Sequence, residues 1–146
     1  MDFGTGPSST NTEAGSYKRI EGVGGNFSVL IVDDDPIIRR IHRVMLNKFG
    51  LVTHVVENGK EAVDLFRSDT CFDMVLMDME MPIMDGPKAT QELRAMGVNS
   101  MIVGVTSRGL ESEKQSFMGA GLNRCHEKPL TTDIVTSLIQ ELIKHY

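Results

Sequence analysis

The chain has 146 residues, enough for one domain whose hydrophobic core needs no disulfide or metal to stabilise it. Its charged fraction of 24% is ordinary for a globular protein, and its formal net charge of −5 argues against a nucleic-acid-binding surface. Two cysteines without metal-ligand spacing, no apolar run long enough to cross a bilayer and no secretory signal predict a soluble cytoplasmic protein that could also enter the nucleus.

Residues 1–26 are rich in Gly, Ser and Thr and show no apolar period, which predicts a flexible tail. The folded domain is expected over 27–146, where short apolar runs alternate with amphipathic segments. The predicted strands cover, in chain order, residues 28–32, 52–56, 72–77, 101–105 and 123–127. A helix is predicted after each strand, beginning after Asp35, after Asn58, after Asp85, near Glu111 and at Thr131.

This alternation predicts an α/β fold, a flavodoxin-like doubly wound sheet of five parallel strands in the order 2-1-3-4-5 with five helices. The fourth helix, about residues 111–120, carries the fewest core signals, so we expect it to be the most mobile element. Asp35 before Pro36 and Asp85 before Gly86 are interpreted as helix caps. The histidines share no metal-ligand spacing and are expected at solvated or partly packed positions, namely His42, His54, His126 and His145.

Polar residues follow four of the predicted strands at the point where each strand ends. Asp33 and Asp34 follow the first strand, Asp78 the third, Thr106 the fourth and Lys128 the fifth. Because the carboxyl ends of neighbouring parallel strands meet at one edge of the sheet, we expect these side chains to converge there. The sequence therefore predicts a site for a divalent cation and a phosphoryl group.

The chemistry of these side chains suits such a site. Clustered carboxylates repel one another unless a cation compensates them, and Mg²⁺, with Mn²⁺ as an alternative, accepts carboxylate, water and phosphate oxygens. Lys128 and Thr106 could then neutralise and hydrogen-bond the phosphoryl oxygens. A remaining carboxylate would be the nucleophile, although spacing alone does not decide which one.

Four segments carry a resemblance to a known family: LIVDDD at 30–35, LMDMEMPIMDG at 76–86, VTS at 105–107 and EKPL at 127–130. In this order they resemble the receiver domain of two-component response regulators, over nearly all of 27–146. The resemblance implies that Asp78 is the phosphoacceptor and that the Lys128–Pro129 bond is cis. It implies a metal pocket formed by Asp33, Asp34, Asp78 and the backbone carbonyl of Glu80, with Thr106 and Lys128 contacting the phosphoryl group.

The segments MIVGVTS at 101–107 and AGLN at 120–123 further resemble the plant type-C response regulators, which are stand-alone receivers. This resemblance implies a phosphorelay role: the protein takes phosphate from a histidine-containing phosphotransfer protein, with a hybrid histidine kinase upstream, and drains or modulates a cytokinin-type relay. It also implies that the protein is not a conventional enzyme, because it catalyses only its own phosphorylation and dephosphorylation or acts in a phosphohistidine-phosphatase-like way. No membrane or nucleic-acid partner is expected.

Two positions depart from the family pattern. Cys125 stands where most receivers carry Tyr or Phe, so we expect the usual aromatic switch to be absent and Cys125 to act as a small hydrophobe on a buried strand. Ser107 replaces the usual small Ala or Gly and should narrow the mouth of the site.

The partner is expected to dock over the same edge, because the apolar residues there exceed what one core-facing stripe requires. The predicted docking residues are Pro36, Ile37, Ile38, Pro129 and Leu130. Two alternatives remain open from the residues. The Asp33-Asp34-Asp35 run also fits a phosphohydrolase of the haloacid dehalogenase type, and the receiver could belong to another phosphorelay branch.

Overall fold

A computed structural model describes residues 27–146, and the predicted tail at 1–26 lies outside them. The predicted architecture is confirmed within this range: five parallel strands form one sheet in the order β2-β1-β3-β4-β5, with five helices. The strands are β1 (Ser28–Val32), β2 (Val52–Val56), β3 (Met74–Asp78), β4 (Met101–Thr106) and β5 (Arg124–Glu127). The helices are α1 (Pro36–Lys48), α2 (Gly59–Arg67), α3 (Gly86–Ala95), α4 (Glu111–Gly119) and α5 (Thr132–His145).

The sheet separates two hydrophobic cores, because successive side chains of a strand point to opposite faces. Val29 and Ile31 of β1 pack in the core that also contains Leu138 of α5. Leu30 of the same strand packs in the other core, beside Leu93 of α3. The central strands β1, β3 and β4 are consequently buried on both faces, and their carboxyl ends lie together at one edge.

Side-chain caps begin four of the five helices in the described range. The Asp35 carboxylate accepts a hydrogen bond from the backbone N–H of Ile37 at 2.9 Å, and Asp85 accepts one from Lys88 at 2.9 Å. Both residues are therefore caps, as predicted. Leu110 precedes α4 and makes no capping bond, which leaves that helix with the weakest start of the five.

Three predictions of burial are wrong. His42 is 1% exposed instead of solvated or partly packed, because α1 turns it under the loop after β5. Leu130 is 2% exposed in the core, so its side chain is not part of a docking surface. Cys125 is only half-buried, because β5 is an edge strand.

Arg94 of α3 makes hydrogen bonds to the segments that lead into β4 and β5. The sequence did not indicate this role. Its guanidinium donates to the carbonyls of Val98, Ser100 and Gly121 at 2.8–2.9 Å and to the Asn123 side chain at 2.8 Å.

Within residues 27–146 no helix is long and apolar enough to cross a membrane.

Candidate functional site

The carboxyl edge of the sheet brings the predicted acidic residues together. Asp33 follows β1 directly, and Asp78 is the last residue of β3. Each of Asp33, Asp34 and Asp78 offers a carboxylate oxygen that lies within 4.8 Å of those of the other two. Asp33 and Asp78 are buried, whereas Asp34 is exposed at the mouth of the site. Such a cluster of oxygen ligands, open on one side, suits a hard divalent cation.

Lys128 joins the two buried aspartates. Its Nζ donates to Asp33 Oδ2 at 3.0 Å and to Asp78 Oδ1 at 2.9 Å. Burial by itself would lower the pKa of Lys128, but its hydrogen bonds to Asp78 and Asp33 outweigh this effect and raise the pKa above the ordinary value. The ammonium is therefore charged, and it pairs with two of the three clustered carboxylates.

Lys128 compensates the Asp78 carboxylate only in part. Its Oδ2 is buried and has no hydrogen-bond partner among residues 27–146. Burial raises the pKa of Asp78 to about 7; the hydrogen bond from Lys128 opposes this shift, and the negative charges of Asp33 and Asp34 reinforce it. The ionised form of Asp78 thus lacks part of the positive charge it needs, and the site fits a bound cation on this observation.

The ends of β4 and β5 are tied to each other beside this cluster. The backbone N–H of Lys128 donates to the carbonyl of Thr106 at 2.9 Å. Thr106 is 3% exposed, and its Oγ1 accepts a hydrogen bond from the backbone N–H of Arg108 at 3.3 Å. The predicted cis bond between Lys128 and Pro129 is confirmed.

The side chain of Glu80 is exposed and lies beside an arginine rather than in the carboxylate cluster. Its Oε2 is 3.8 Å from Nη2 of Arg108, which also pairs with Glu113 at 3.4 Å. This ion pair connects the loop after β3 with the loop after β4 across the mouth of the site. Ser107 is exposed beside it.

The arrangement of these side chains agrees with the family that comparison with known proteins identifies. The profile of the response regulator receiver domain matches residues 29–140. The chain belongs to this family. Membership confirms the predicted receiver domain and decides against the haloacid-dehalogenase alternative.

The receiver is similar to plant response regulators. It is 50% identical over 115 residues to two-component response regulator 24 of Arabidopsis thaliana, covering 79% of this chain and 83% of the relative. It is 44% identical over 119 residues to two-component response regulator ORR42 of Oryza sativa, covering 81% and 88%.

Two solved structures show the same fold. The receiver domain of sensor histidine kinase PA1611 from Pseudomonas aeruginosa, with a magnesium ion coordinated in its active site cleft, has a TM-score of 0.72 at 27% identity and covers 82% of this chain and 98% of that one. A co-crystal structure of the Saccharomyces cerevisiae phosphotransfer protein Ypd1 with the Ssk1 receiver domain has a TM-score of 0.73 at 23% identity, covering 80% and 88%.

Cys125 of this receiver lines a cavity of about 420 Å³ between α4 and β5. Lys114 and Met118 of α4 contribute to the same wall, together with His126. Burial raises the pKa of the Cys125 thiol, and the charge of Lys114 opposes this shift. The position that holds an aromatic ring in most receivers therefore carries a half-buried thiol at the edge of an open groove.

The apolar residues around the mouth of the receiver site are only partly those predicted. Pro36, Ile37 and Pro129 are exposed, and Ile38 is half-buried. The sequence missed Ile83, which is 76% exposed in the loop after β3 with a φ of 71°. The only signal for it was an apolar residue in a loop, a pattern too common to be decisive.

Proposed function

We propose that this receiver accepts a phosphoryl group on Asp78 from a phosphohistidine of a histidine-containing phosphotransfer protein. The observation that carries the proposal is the buried Asp78 carboxylate, with Lys128 2.9 Å from Oδ1 and an unpartnered Oδ2. Oδ2 is the nucleophile, because no hydrogen bond within residues 27–146 occupies it.

In the transfer, Asp78 Oδ2 attacks phosphorus and a P–O bond forms. The P–N bond to the donor imidazole breaks, and its electron pair returns to the ring nitrogen. Lys128 moves its hydrogen bond from Asp78 to a phosphoryl oxygen, and the Thr106 hydroxyl donates to another. The chain contributes mainly position and positive charge, because phosphoryl transfer has little covalent chemistry for the protein to perform.

Asp33, Asp34, Asp78 and the backbone carbonyl of Glu80 would hold Mg²⁺, or Mn²⁺ in its place. When bound, the cation supplies positive charge to the phosphoryl oxygens and to the acidic cluster. The carboxylate cluster and the magnesium-bound PA1611 receiver support this assignment.

The phosphotransfer protein docks over Pro36, Ile37, Ile38 and Pro129, at the edge that carries Asp78. Exposed apolar side chains at this edge support the docking surface, which excludes the buried Leu130. The Ypd1–Ssk1 complex supports this class of partner for the fold.

The similarity to plant regulators supports a role in a cytokinin-type relay that a hybrid histidine kinase feeds. There the protein drains or modulates phosphate flow as a type-C regulator, in the cytoplasm and the nucleus. Release of inorganic phosphate from a relay reconstituted with this protein measures the draining activity, and a stable phosphoprotein without such release would contradict it.

The phosphoacceptor is tested with a phosphotransfer protein carrying labelled phosphohistidine and Mg²⁺. We expect label on the wild-type chain and none on Asp78→Asn. Asp69→Asn is the matched control, because Asp69 is exposed in the loop after α2 and its φ of 68° is tolerated by Asn. Label on Asp78→Asn, or repeated turnover of small phosphate esters through Asp33, would contradict the proposal.

A further inference from the structure

The cap and one face of α1 are bonded to the residues around the site at three positions. Asp35 is the cap before α1, and Arg39 and His42 lie three residues apart, on one side of the helix. The N–H of Asp35 donates to Asp33 Oδ1 at 2.9 Å, and the Arg39 guanidinium donates to the Asp33 carbonyl at 2.8 Å. The third bond reaches the other side of the site: Nε2 of His42 accepts the backbone N–H of Leu130 at 3.0 Å.

The ring of His42 is a neutral hydrogen-bond acceptor. Burial lowers the pKa of His42 to about 4; the charge of Asp33 opposes this shift, and that of Lys128 adds to it. Because Nε2 accepts a hydrogen bond from the backbone N–H of Leu130, the ring proton lies on Nδ1, which is buried without a partner among residues 27–146. The imidazole therefore satisfies one buried donor and leaves another unsatisfied.

This arrangement adds little to the free energy of unfolding. The buried Nδ1–H without a partner costs about as much as the hydrogen bond at Nε2 contributes. The bond does, however, determine where the turn after β5 lies. The backbone N–H of Lys128 donates to the Thr106 carbonyl at 2.9 Å and anchors the chain at that residue. The second anchor lies two residues later, where the N–H of Leu130 donates to Nε2 of His42. The side chain of Leu130 is held in the core.

We propose that His42 is a positioning residue for Lys128, which it holds over Asp78 through the backbone of Leu130. The inference rests on the proposed phosphoryl transfer. In this arrangement α1 links the proposed docking surface at its first turn to Lys128, the residue proposed to contact the phosphoryl group. The exposed stripe of Ile37, Ile41 and Val44 lies on the opposite side of the same helix.

The test compares His42→Leu, which removes the acceptor, with His42→Gln, which offers an amide oxygen in its place. Phosphoryl transfer from the phosphorylated phosphotransfer protein is followed in single turnovers over a range of donor concentrations. We expect His42→Leu to reduce the maximal rate about tenfold, because misplacement by a fraction of an ångström weakens transfer, with less than about a twofold change in half-saturation. His42→Gln should recover most of that loss.

The control for stability is Leu46→Ala, another fully buried position on α1, one turn farther from the site. It should lower the melting temperature and leave the maximal transfer rate unchanged. Amide hydrogen exchange at Leu130 should accelerate in His42→Leu and not in Leu46→Ala.

The proposal is overturned if His42→Leu transfers at the wild-type rate, or if His42→Leu and Leu46→Ala lose rate in proportion to lost stability. If His42→Leu does not fold, His42→Met carries the same expectation. A wild-type chain that takes no phosphoryl group would contradict the proposed function instead, and unchanged exchange at Leu130 in His42→Leu would still overturn the anchoring role.

Discussion

The folded chain disfavours the negative charge of the Asp78 carboxylate. The carboxylate is 3% exposed, shares one ammonium with Asp33, and has the charge of Asp34 nearby. Burial and these neighbours raise its pKa to about 7, so the folded state retains a proton that the unfolded chain releases near pH 3.8. Without a divalent cation, the contribution of Asp78 to stability is therefore greatest below pH 3.8 and is lost as the pH rises through about 7.

Asp78→Asn should consequently be more stable than the wild type at pH 8 in EDTA. We expect a gain of about 1–3 kcal/mol in the free energy of unfolding, with a smaller gain at pH 5, because the amide carries no charge to desolvate. Urea denaturation at the two pH values measures the difference, with Asp69→Asn as the exposed control. A variant less stable than the wild type at pH 8 would contradict the assigned environment of Asp78.

His42 has the opposite dependence on pH. Its pKa falls from 6.5 to about 4 on folding, so its contribution to stability is present above pH 6.5 and is lost as the pH falls toward 4. Removing the imidazole should remove this dependence. When the pH is lowered from 7.5 to 5, the free energy of unfolding of His42→Gln should decrease by about 2 kcal/mol less than that of the wild type. The reason is that one proton per molecule is no longer taken up on unfolding.

Denaturation curves of both chains at the two pH values give this double difference. The titration of Asp78 is common to both chains and cancels. Equal acid sensitivity of the two chains would show that His42 is not buried in its neutral form.

The helix α3 comes unusually close to the end of β3, and a glycine makes this possible. A Cβ on Gly86 would overlap the carbonyl oxygen of Asp78, and the Gly86 N–H donates to the carbonyl of Met79 at 2.9 Å. The start of α3 is thus in contact with the backbone that carries the phosphoacceptor. In contrast, a Cβ on Gly119 at the end of α4 would meet nothing within 4 Å.

Gly86→Ala should therefore displace the end of β3, whereas Gly119→Ala should not disturb it. We expect Gly86→Ala to reduce stability by about 1–3 kcal/mol, as overpacking does, and to slow phosphoryl acceptance on Asp78. Gly119→Ala should be neutral or stabilising by up to about 1 kcal/mol, because alanine favours the helix. Thermal unfolding and transfer assays on the pair test this, and equal stability of the two variants would contradict it.

The net charge of the molecule and the acidic cluster both favour binding of a cation. The formal net charge is −5, and Lys128 pairs with only two of the three carboxylates in the acidic cluster. A cation that binds the folded chain more strongly than the unfolded chain stabilises it by mass action. The cluster exists only when β1 and β3 are paired, so this linkage should be strong.

Mg²⁺ should thus raise the melting temperature of the wild type. At a concentration about one hundred times its dissociation constant, the expected stabilisation is about 2.7 kcal/mol. Asp34→Asn should require at least about tenfold more Mg²⁺ for the same shift, because an amide oxygen carries no charge. Asp35→Asn keeps a capping oxygen at the adjacent position and should respond as the wild type does; equal responses of all three chains would contradict a site at Asp34.

Local patterns were enough to predict the fold. The alternation of apolar runs with amphipathic segments, with Asp35 and Asp85 as caps, depends on periodicity and on contacts over two or three residues, which a linear sequence displays. The convergence of Asp33, Asp78 and Lys128 was also predictable, since parallel strands must end at a common edge. Their roles were not, because spacing left the nucleophile open.

The contacts that adjust this edge depended on tertiary packing. His42 meets Leu130 across 88 positions of sequence, and Arg94 reaches Asn123 across 29. Whether such residues are buried and paired is decided by how helices pack on the sheet, and no local pattern records that. For the same reason Leu130 and Cys125 were placed wrongly: sequence identifies a residue as apolar and near a strand end, but only the crossing of distant elements decides whether it faces the core, a groove or a partner.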